Sequence, residues 1–241
     1  MTDPQDHSSG PVSEMDGAAG VDPTNSPQDP TAPMVGVGPH PQPWPDDPRL
    51  DPELLAVGDR RNVVDEYRYW QMSEIIADLD AKRAAWAPAR LQIAIQNWTH
   101  DFNIGSIVRT ANAFNVEAVH VVGNRRWNRR GAMVTDRYLH VHHQPDEAAL
   151  AAHCAAEGLT LIGVDNMPGA VALEGFQFPA ACCLVFGSEG PGLTDEMLAR
   201  CQQLVEITQY GSTRSLNAGA AAAITMHAWS TQHQFASTLR H

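Results

Sequence analysis

Apolar residues fall into two kinds of run along this chain. Continuous runs of strand length occupy residues 91–95, 118–122, 159–164, 180–186 and 204–207, each closed by polar residues or glycine. Between them the apolar positions recur at helical spacing, over 107–114, 146–157, 194–201 and 217–232. A further amphipathic pattern over 63–86 carries Val63, Tyr67, Trp70, Ile75, Ile76, Leu79 and Trp86 among charges. Continuous apolar strands that alternate with helices predict an α/β fold with a mostly parallel sheet flanked by helices. No internal repeat or heptad appears.

The first 50 residues follow neither pattern. Twelve of the 17 prolines lie in residues 4–52, spaced by Gly, Ser, Asp and Gln with few apolar residues. Such a stretch cannot bury enough surface to offset its ordering entropy, which predicts a disordered tail over 1–50. A helical extension is expected over 51–89 and the α/β domain over 90–241. The tail lacks a basic segment followed by an apolar run, so it does not read as a signal peptide. No run approaches the ~18 apolar residues of a membrane span, and a cytoplasmic location is expected.

Charge becomes informative only once it is located. The formal net charge of −12 argues against nucleic acid as a partner. Yet residues 1–59 hold eleven acids and one base, which leaves 17 acids and 15 bases over 60–241. The acidity belongs to the tail. The cysteines, Cys154, Cys182, Cys183 and Cys201, show no metal-ligand spacing and read as buried, reduced thiols.

Three segments carry candidate chemistry. The first enters a helix as Asn103-Ile104-Gly105-Ser106-Ile107-Val108-Arg109-Thr110-Ala111, where Gly105 permits close backbone approach and Arg109 follows about one turn later. A plain surface arginine also explains that segment by itself. The second leaves an apolar strand as Gly187-Ser188-Glu189-Gly190-Pro191-Gly192, a place where α/β sheets hold ligands. Its spacing meets neither dinucleotide nor Walker pattern, and Glu189 would repel phosphate. Thr194 with Asp195 and Glu196 suits a helix start, which leaves the glycines unexplained. The third runs Ile207-Thr208-Gln209-Tyr210-Gly211-Ser212-Thr213-Arg214-Ser215-Leu216-Asn217 into an Ala-rich helix that Asn217 would cap.

Order and content together resemble the three motifs of the SpoU–TrmH family of RNA ribose 2′-O-methyltransferases, within the SPOUT superfamily. The first segment fits N-x-G-x-x-x-R-x-A, the second G-x-E-x-x-G-L, the third G-x-x-x-S-L-N. Thr208 stands where the family usually has proline, and Ala218-Gly219 where Val-Ser often follows. The resemblance covers roughly residues 90–232. It implies a C-terminal trefoil knot, an exception to the general avoidance of knots, together with bound S-adenosyl-L-methionine and a homodimer. By position, the cofactor would rest on Gly187, Ile207, Ser215 and Leu216, with Asp165 contributing. Arg109, Asn103, Glu189, Ser215 and Asn217 match the catalytic constellation. Arginine does not readily lose a proton in a protein, so Arg109 is expected to hold a phosphate and steady the developing 2′-oxyanion rather than act as base.

A basic landing surface for RNA is expected at Arg125-Arg126-Trp127-Asn128-Arg129-Arg130, with Arg137 nearby, where an aromatic between arginines suits phosphate contact and stacking. A solvated basic loop is the alternative. His140, His142 and His143 show no recognised ligand spacing and read as an alternating strand, with no metal expected. Residues 51–89 are too few for a separate RNA-binding domain, which favours transfer RNA over ribosomal RNA. Two other readings compete: a non-catalytic RNA-binding relative, and a Rossmann-type dinucleotide enzyme that would use Asp165 at a strand end. The second lacks the glycine fingerprint.

Overall fold

The structure is a computed structural model that describes residues 36–98, 103–188 and 190–235. Its frame is a parallel sheet of seven strands among the described residues. The strands are β1 (Arg90–Asn97), β2 (Ala118–Gly123), β3 (Val141–Gln144), β4 (Thr160–Val164), β5 (Val171–Ala172), β6 (Ala181–Phe186) and β7 (Gln203–Glu206). They lie in the order β3-β2-β1-β6-β4-β7-β5. Every pairing is parallel, and the register sets Ile93 of β1 beside Val119 of β2 and Leu184 of β6. The helices are α1 (Pro52–Val57), α2 (Met72–Ala84), α3 (Asn103–Ala113), α4 (Glu147–Glu157), α5 (Asp195–Leu198) and α6 (Ala218–Ser230).

Period-2 alternation sorts each central strand between two cores. Cys182, Leu184 and Phe186 of β6 join Ile93 and Ile95 of β1 against Ile104, Ile107 and Val108 of α3 and Ala222, Met226 and Trp229 of α6. Cys183 and Val185 face the other way, onto Leu150 and Cys154 of α4 and Met197 of α5. Both faces are covered, which is why these strands read as predominantly apolar runs. Each fully buried large side chain here contributes roughly 1.5–3 kcal/mol. Three of the cysteines are buried and Cys201 is half-buried. Burial pushes the Cys182 and Cys201 thiols up to about 12, so they stay protonated.

Local sequence fixes the helix starts. The Asp146 carboxylate accepts from Ala149 N at 2.8 Å to open α4, and Asn217 Oδ1 accepts from Gly219 N at 3.0 Å to open α6. Thr194 Oγ1 accepts from Met197 N at 3.2 Å and opens α5, which ends at Leu198, short of the expected 201.

The expected 63–86 helix divides. Residues Asp65–Tyr67 form a single tight turn and the helix proper begins at Met72. Tyr67 and Trp70 instead join Ile75 and Tyr138 in a third cluster, which Leu50, Val63 and Leu79 flank. The expectation of disorder through residue 50 fails for 36–50. Val37 pairs with Asp59, Leu50 pairs with Trp70, and Tyr69 donates its hydroxyl to Gly38 O at 2.6 Å. These bonds and the Leu50 contact supply the burial that composition alone did not reveal. Residues 1–35 lie outside the described residues.

At the root of that cluster Asp59 is fully buried. Burial alone would raise its carboxyl, but hydrogen bonds from Arg61 at 2.7 and 2.9 Å and from Tyr69 N at 2.9 Å outweigh it and hold the group below the usual range. The expected histidine strand is β3, with His142 and His143 exposed. His120 of β2 is fully buried, 2.8 Å from Gln92 Oε1 and 3.1 Å from Gln144 Nε2, and burial pushes it down to about 3.

Candidate active site

The strand order reverses beside β1: the chain builds β2 and β3 on one side, then crosses to β4 and β6 on the other. Ligand crevices of open α/β sheets form at such a switch, outside the carboxyl ends of the strands. A cavity of about 510 Å³ opens outside the carboxyl ends on the β6 side of that switch, walled by the ends of β4, β6 and β7 and the start of α6. Asp165, Gly187, Ile207, Ser215 and Leu216, the five residues expected to hold a cofactor, all line it. Gly187 has a steric reason to be glycine, because a Cβ would stand 2.1 Å from the Gly192 carbonyl carbon. Asp165 does more than line the cavity. Its carboxylate accepts from Leu193 N at 2.9 Å and Asn166 N at 2.8 Å, which ties the glycine-rich loop to the end of β4.

Two residues that the sequence did not single out, Gln96 and Glu147, complete the loop's anchorage. Gln96, fully buried at the end of β1, donates to Glu147 Oε1 at 2.7 Å and to Thr194 Oγ1 at 2.9 Å, and accepts from Thr194 N at 3.0 Å. Thr194 Oγ1 donates in turn to Glu147 at 2.9 Å. Ser188 Oγ donates to Gln96 O at 3.0 Å, and Gly192 N to Ser188 O at 3.0 Å. The one legible signal was a glutamine inside an apolar strand. Thr208, in place of the usual proline, donates its hydroxyl to Glu174 at 2.9 Å and fixes the start of the third segment. Gln209 also lines the cavity, and its buried Oε1 has no hydrogen-bond partner among the described residues.

The catalytic candidates converge in part. Asn217 Nδ2 donates to Asn103 Oδ1 at 2.8 Å, which joins the first and third segments, while Ser215 and Asn217 line the cavity. Arg109 sits exposed on α3, outside the cavity lining, with no hydrogen bond or ion pair among the described residues. Glu189 lies outside the described residues. Gly105 is glycine for the reason expected: a Cβ would stand 2.8 Å from Gly131 Cα and Ala132 N. The basic loop is thereby packed against the α3 face on which Arg109 follows one turn later.

Within that loop Arg125, Arg126, Arg129 and Arg130 are exposed. Trp127 is half-buried against the main core and carries the Arg129 guanidinium 5.5 Å from its ring centre, so only part of its ring remains open to a ligand. Asn97 Nδ2 donates to Asn124 O at 2.7 Å and Arg126 O at 2.9 Å, which fixes the loop's first half to the end of β1.

A doubly covered parallel sheet with a cavity outside the carboxyl ends of its strands defines a protein of the α/β class, and its three segments agree with a named family. Residues 90–227 match the SpoU rRNA Methylase family, and the chain belongs to it. That assignment displaces the Rossmann alternative. The chain is 29% identical over 169 residues to a Saccharomyces cerevisiae tRNA (guanosine(18)-2′-O)-methyltransferase, across 66% of this chain and 12% of that one. It is 27% identical over 147 residues to the Escherichia coli K12 enzyme of the same name, across 60% and 64%. The match thus spans less than two thirds of either relative. Among solved structures, the SpoU methyltransferase AviRb of Streptomyces viridochromogenes with AdoMet shares 25% identity at a TM-score of 0.54, over 59% of this chain and 57% of that one. The Aquifex (A. aeolicus) TrmH/SpoU tRNA modifying enzyme shares the fold at 18% identity and a TM-score of 0.57, over 68% and 86%.

Proposed function

We propose that this protein is an S-adenosyl-L-methionine-dependent methyltransferase acting on a ribose 2′-hydroxyl of transfer RNA. One observation carries the reading. The backbone of the second and third segments walls a single cavity, and the Asn103–Asn217 bond links its rim to the helix that bears Arg109. The volume falls in the usual range for a small-molecule site. The unpartnered Gln209 Oε1 supports a bound group with N–H or O–H donors. AviRb, at 25% identity, is a member solved with AdoMet, and the names of the yeast and E. coli relatives favour tRNA over rRNA.

The bound cofactor supplies an electrophilic methyl group on a sulfonium. The chain supplies position. The Asp165 carboxylate and the Gln96–Glu147–Thr194 network hold the glycine-rich loop against the cavity, so little reorganisation accompanies binding. Asn217 caps α6 with its oxygen and orients Asn103 with its nitrogen, and both amides stand where a ribose would enter. Arg109 offers a planar guanidinium fork to the target phosphate and to the 2′-oxygen as charge develops. The proton leaves through phosphate or water, and Glu189 orients Arg109. The exposed arginines of 125–130 carry neighbouring phosphates.

The same reading includes a trefoil knot at the C-terminal end, a cytoplasmic location and a homodimer. No described helix is long and apolar enough to cross a membrane. The test is titration with S-adenosyl-L-methionine by calorimetry, followed by transfer of labelled methyl to bulk tRNA with nucleoside mass spectrometry. A 2′-O-methylated nucleoside is expected. Cofactor binding without transfer to any RNA would identify a non-catalytic relative instead.

A further inference from the structure

Between the basic loop and β3, two large apolar side chains stand out in solvent. Met133 is 55% exposed and Val134 41%. Both have left-handed backbones, Met133 at φ 48° and Val134 at φ 68°. L-residues are uncommon in that region, and a β-branched one is an outlier there. Glycine would adopt it without penalty, yet the chain places Met-Val. Strain of this kind persists only where the surroundings impose it.

The surroundings do impose it. Just before the pair, Ala132 is fully buried and Gly131 lies against Gly105 of α3. Just after it, Thr135 Oγ1 donates to Ala132 O at 2.6 Å, and Tyr138 is locked into the cluster of Tyr67, Trp70 and Ile75. The pair is therefore the outward bend of a chain pinned on both sides. Charge around it is one-sided. Residues 125–137 carry five exposed arginines and a single acid, Asp136, which already lies 3.6 Å from Arg129.

An apolar tip among arginines complements a polyanion that also presents flat apolar faces, which describes nucleic acid with unstacked bases. We propose that Met133 and Val134 form a wedge that packs against an unstacked base of the RNA beside the nucleotide held at Arg109, while the surrounding arginines carry the phosphates. The inference rests on the methyltransferase reading and adds what part of the RNA this turn contacts.

The test is the double variant Met133→Gly/Val134→Gly in the full chain, with Met133→Asn/Val134→Asn as its companion. Glycine removes the apolar tip and the backbone strain together, whereas asparagine tolerates the left-handed region and keeps the turn restricted. Both variants are expected to lose about tenfold in affinity for bulk tRNA and for poly(U). The salt slope of tRNA binding should match wild type, and so should affinity for heparin, a polyanion without bases. The melting temperature of the glycine variant should be unchanged or raised. Wild-type tRNA affinity in both variants overturns the wedge alone. So does an equal loss toward heparin, which would assign the effect to charge, or a loss with glycine but not with asparagine, which would assign it to flexibility. A lower melting temperature, or a dimer turned monomer, overturns it in favour of a structural role or a contact between copies. Wild-type protein that binds neither tRNA nor cofactor overturns the enzymatic reading beneath it.

Discussion

Replacing Gln96 with leucine removes three hydrogen bonds at nearly constant volume, and the arithmetic of what remains is severe. Thr194 N loses its acceptor, and the buried Glu147 carboxylate keeps only the Thr194 hydroxyl. Each buried polar group left unsatisfied costs about 1–3 kcal/mol, so the pair of losses costs about 2–6 kcal/mol. In a domain of this size each kcal/mol moves the melting temperature by roughly 2–4 °C, which predicts a drop of about 4–24 °C. The Thr194 end of the loop also loses its hold on β1, while the Ser188 hydroxyl still reaches the Gln96 carbonyl, so cofactor affinity should fall with stability. Thr194→Val should reproduce both effects and Thr194→Ser should rescue them, since serine keeps the hydroxyl that caps α5. Thermal melts and calorimetric titration of S-adenosyl-L-methionine measure the two quantities separately. A Gln96→Leu protein with wild-type melting temperature and wild-type affinity would refute the claim that this network holds the loop.

Other outcomes follow from the same geometry. Arg109→Ala should abolish methyl transfer while cofactor affinity, by calorimetry, stays within about twofold, because Arg109 stands outside the cavity. Gly187→Ala should abolish cofactor binding in the same assay, since its Cβ would stand 2.1 Å from the Gly192 carbonyl carbon. Replacing Arg125, Arg126, Arg129 and Arg130 with Ala should weaken tRNA binding and flatten its salt dependence, by up to about four units of log slope if all four neutralise phosphates. His120 titrates near 6.5 when unfolded and is pushed down to about 3 by burial, so the unfolded chain takes up the extra proton as pH falls. Stability should therefore drop by about 2 kcal/mol between pH 7.5 and pH 5, measured by urea unfolding, and His120→Gln should show a flatter profile.

What the sequence revealed depended on how local the cause was. Strands β1, β2, β4 and β6 were legible because burial on both faces makes them mostly apolar runs, with Gln92, Gln96 and His120 as buried polar exceptions. Thr194 and Asn217 were legible as caps because the bonds they make lie within three residues. Val171–Ala172 was missed because an exposed two-residue edge strand has neither length nor pattern. Val63, Tyr67 and Trp70 mimicked a helix because their contacts, with Tyr138 and Leu50, are not helical at all. Glu147 and Thr194 meet Gln96 from 51 and 98 residues away, and no local spacing encodes that. Gly105, Gly187 and the SLN segment were legible for another reason: close approach and capping leave few residue types to choose from.

The strand order also sets a timetable for the growing chain. Residues 90–144 contain all of β1, β2 and β3, so half a sheet can assemble while its β1 edge faces solvent. That edge waits for residues 181–186, which must enter between β1 and β4 as the last central strand. Every wall of the 510 Å³ cavity comes from residue 164 or later, whereas the arginine-rich loop is complete by residue 130. Pairing at such separation is slow and leaves apolar edges open to other chains in the interval. A ribosome-bound intermediate stalled before residue 181 thus exposes a sticky β1 flank and a basic surface with no cofactor chamber behind it.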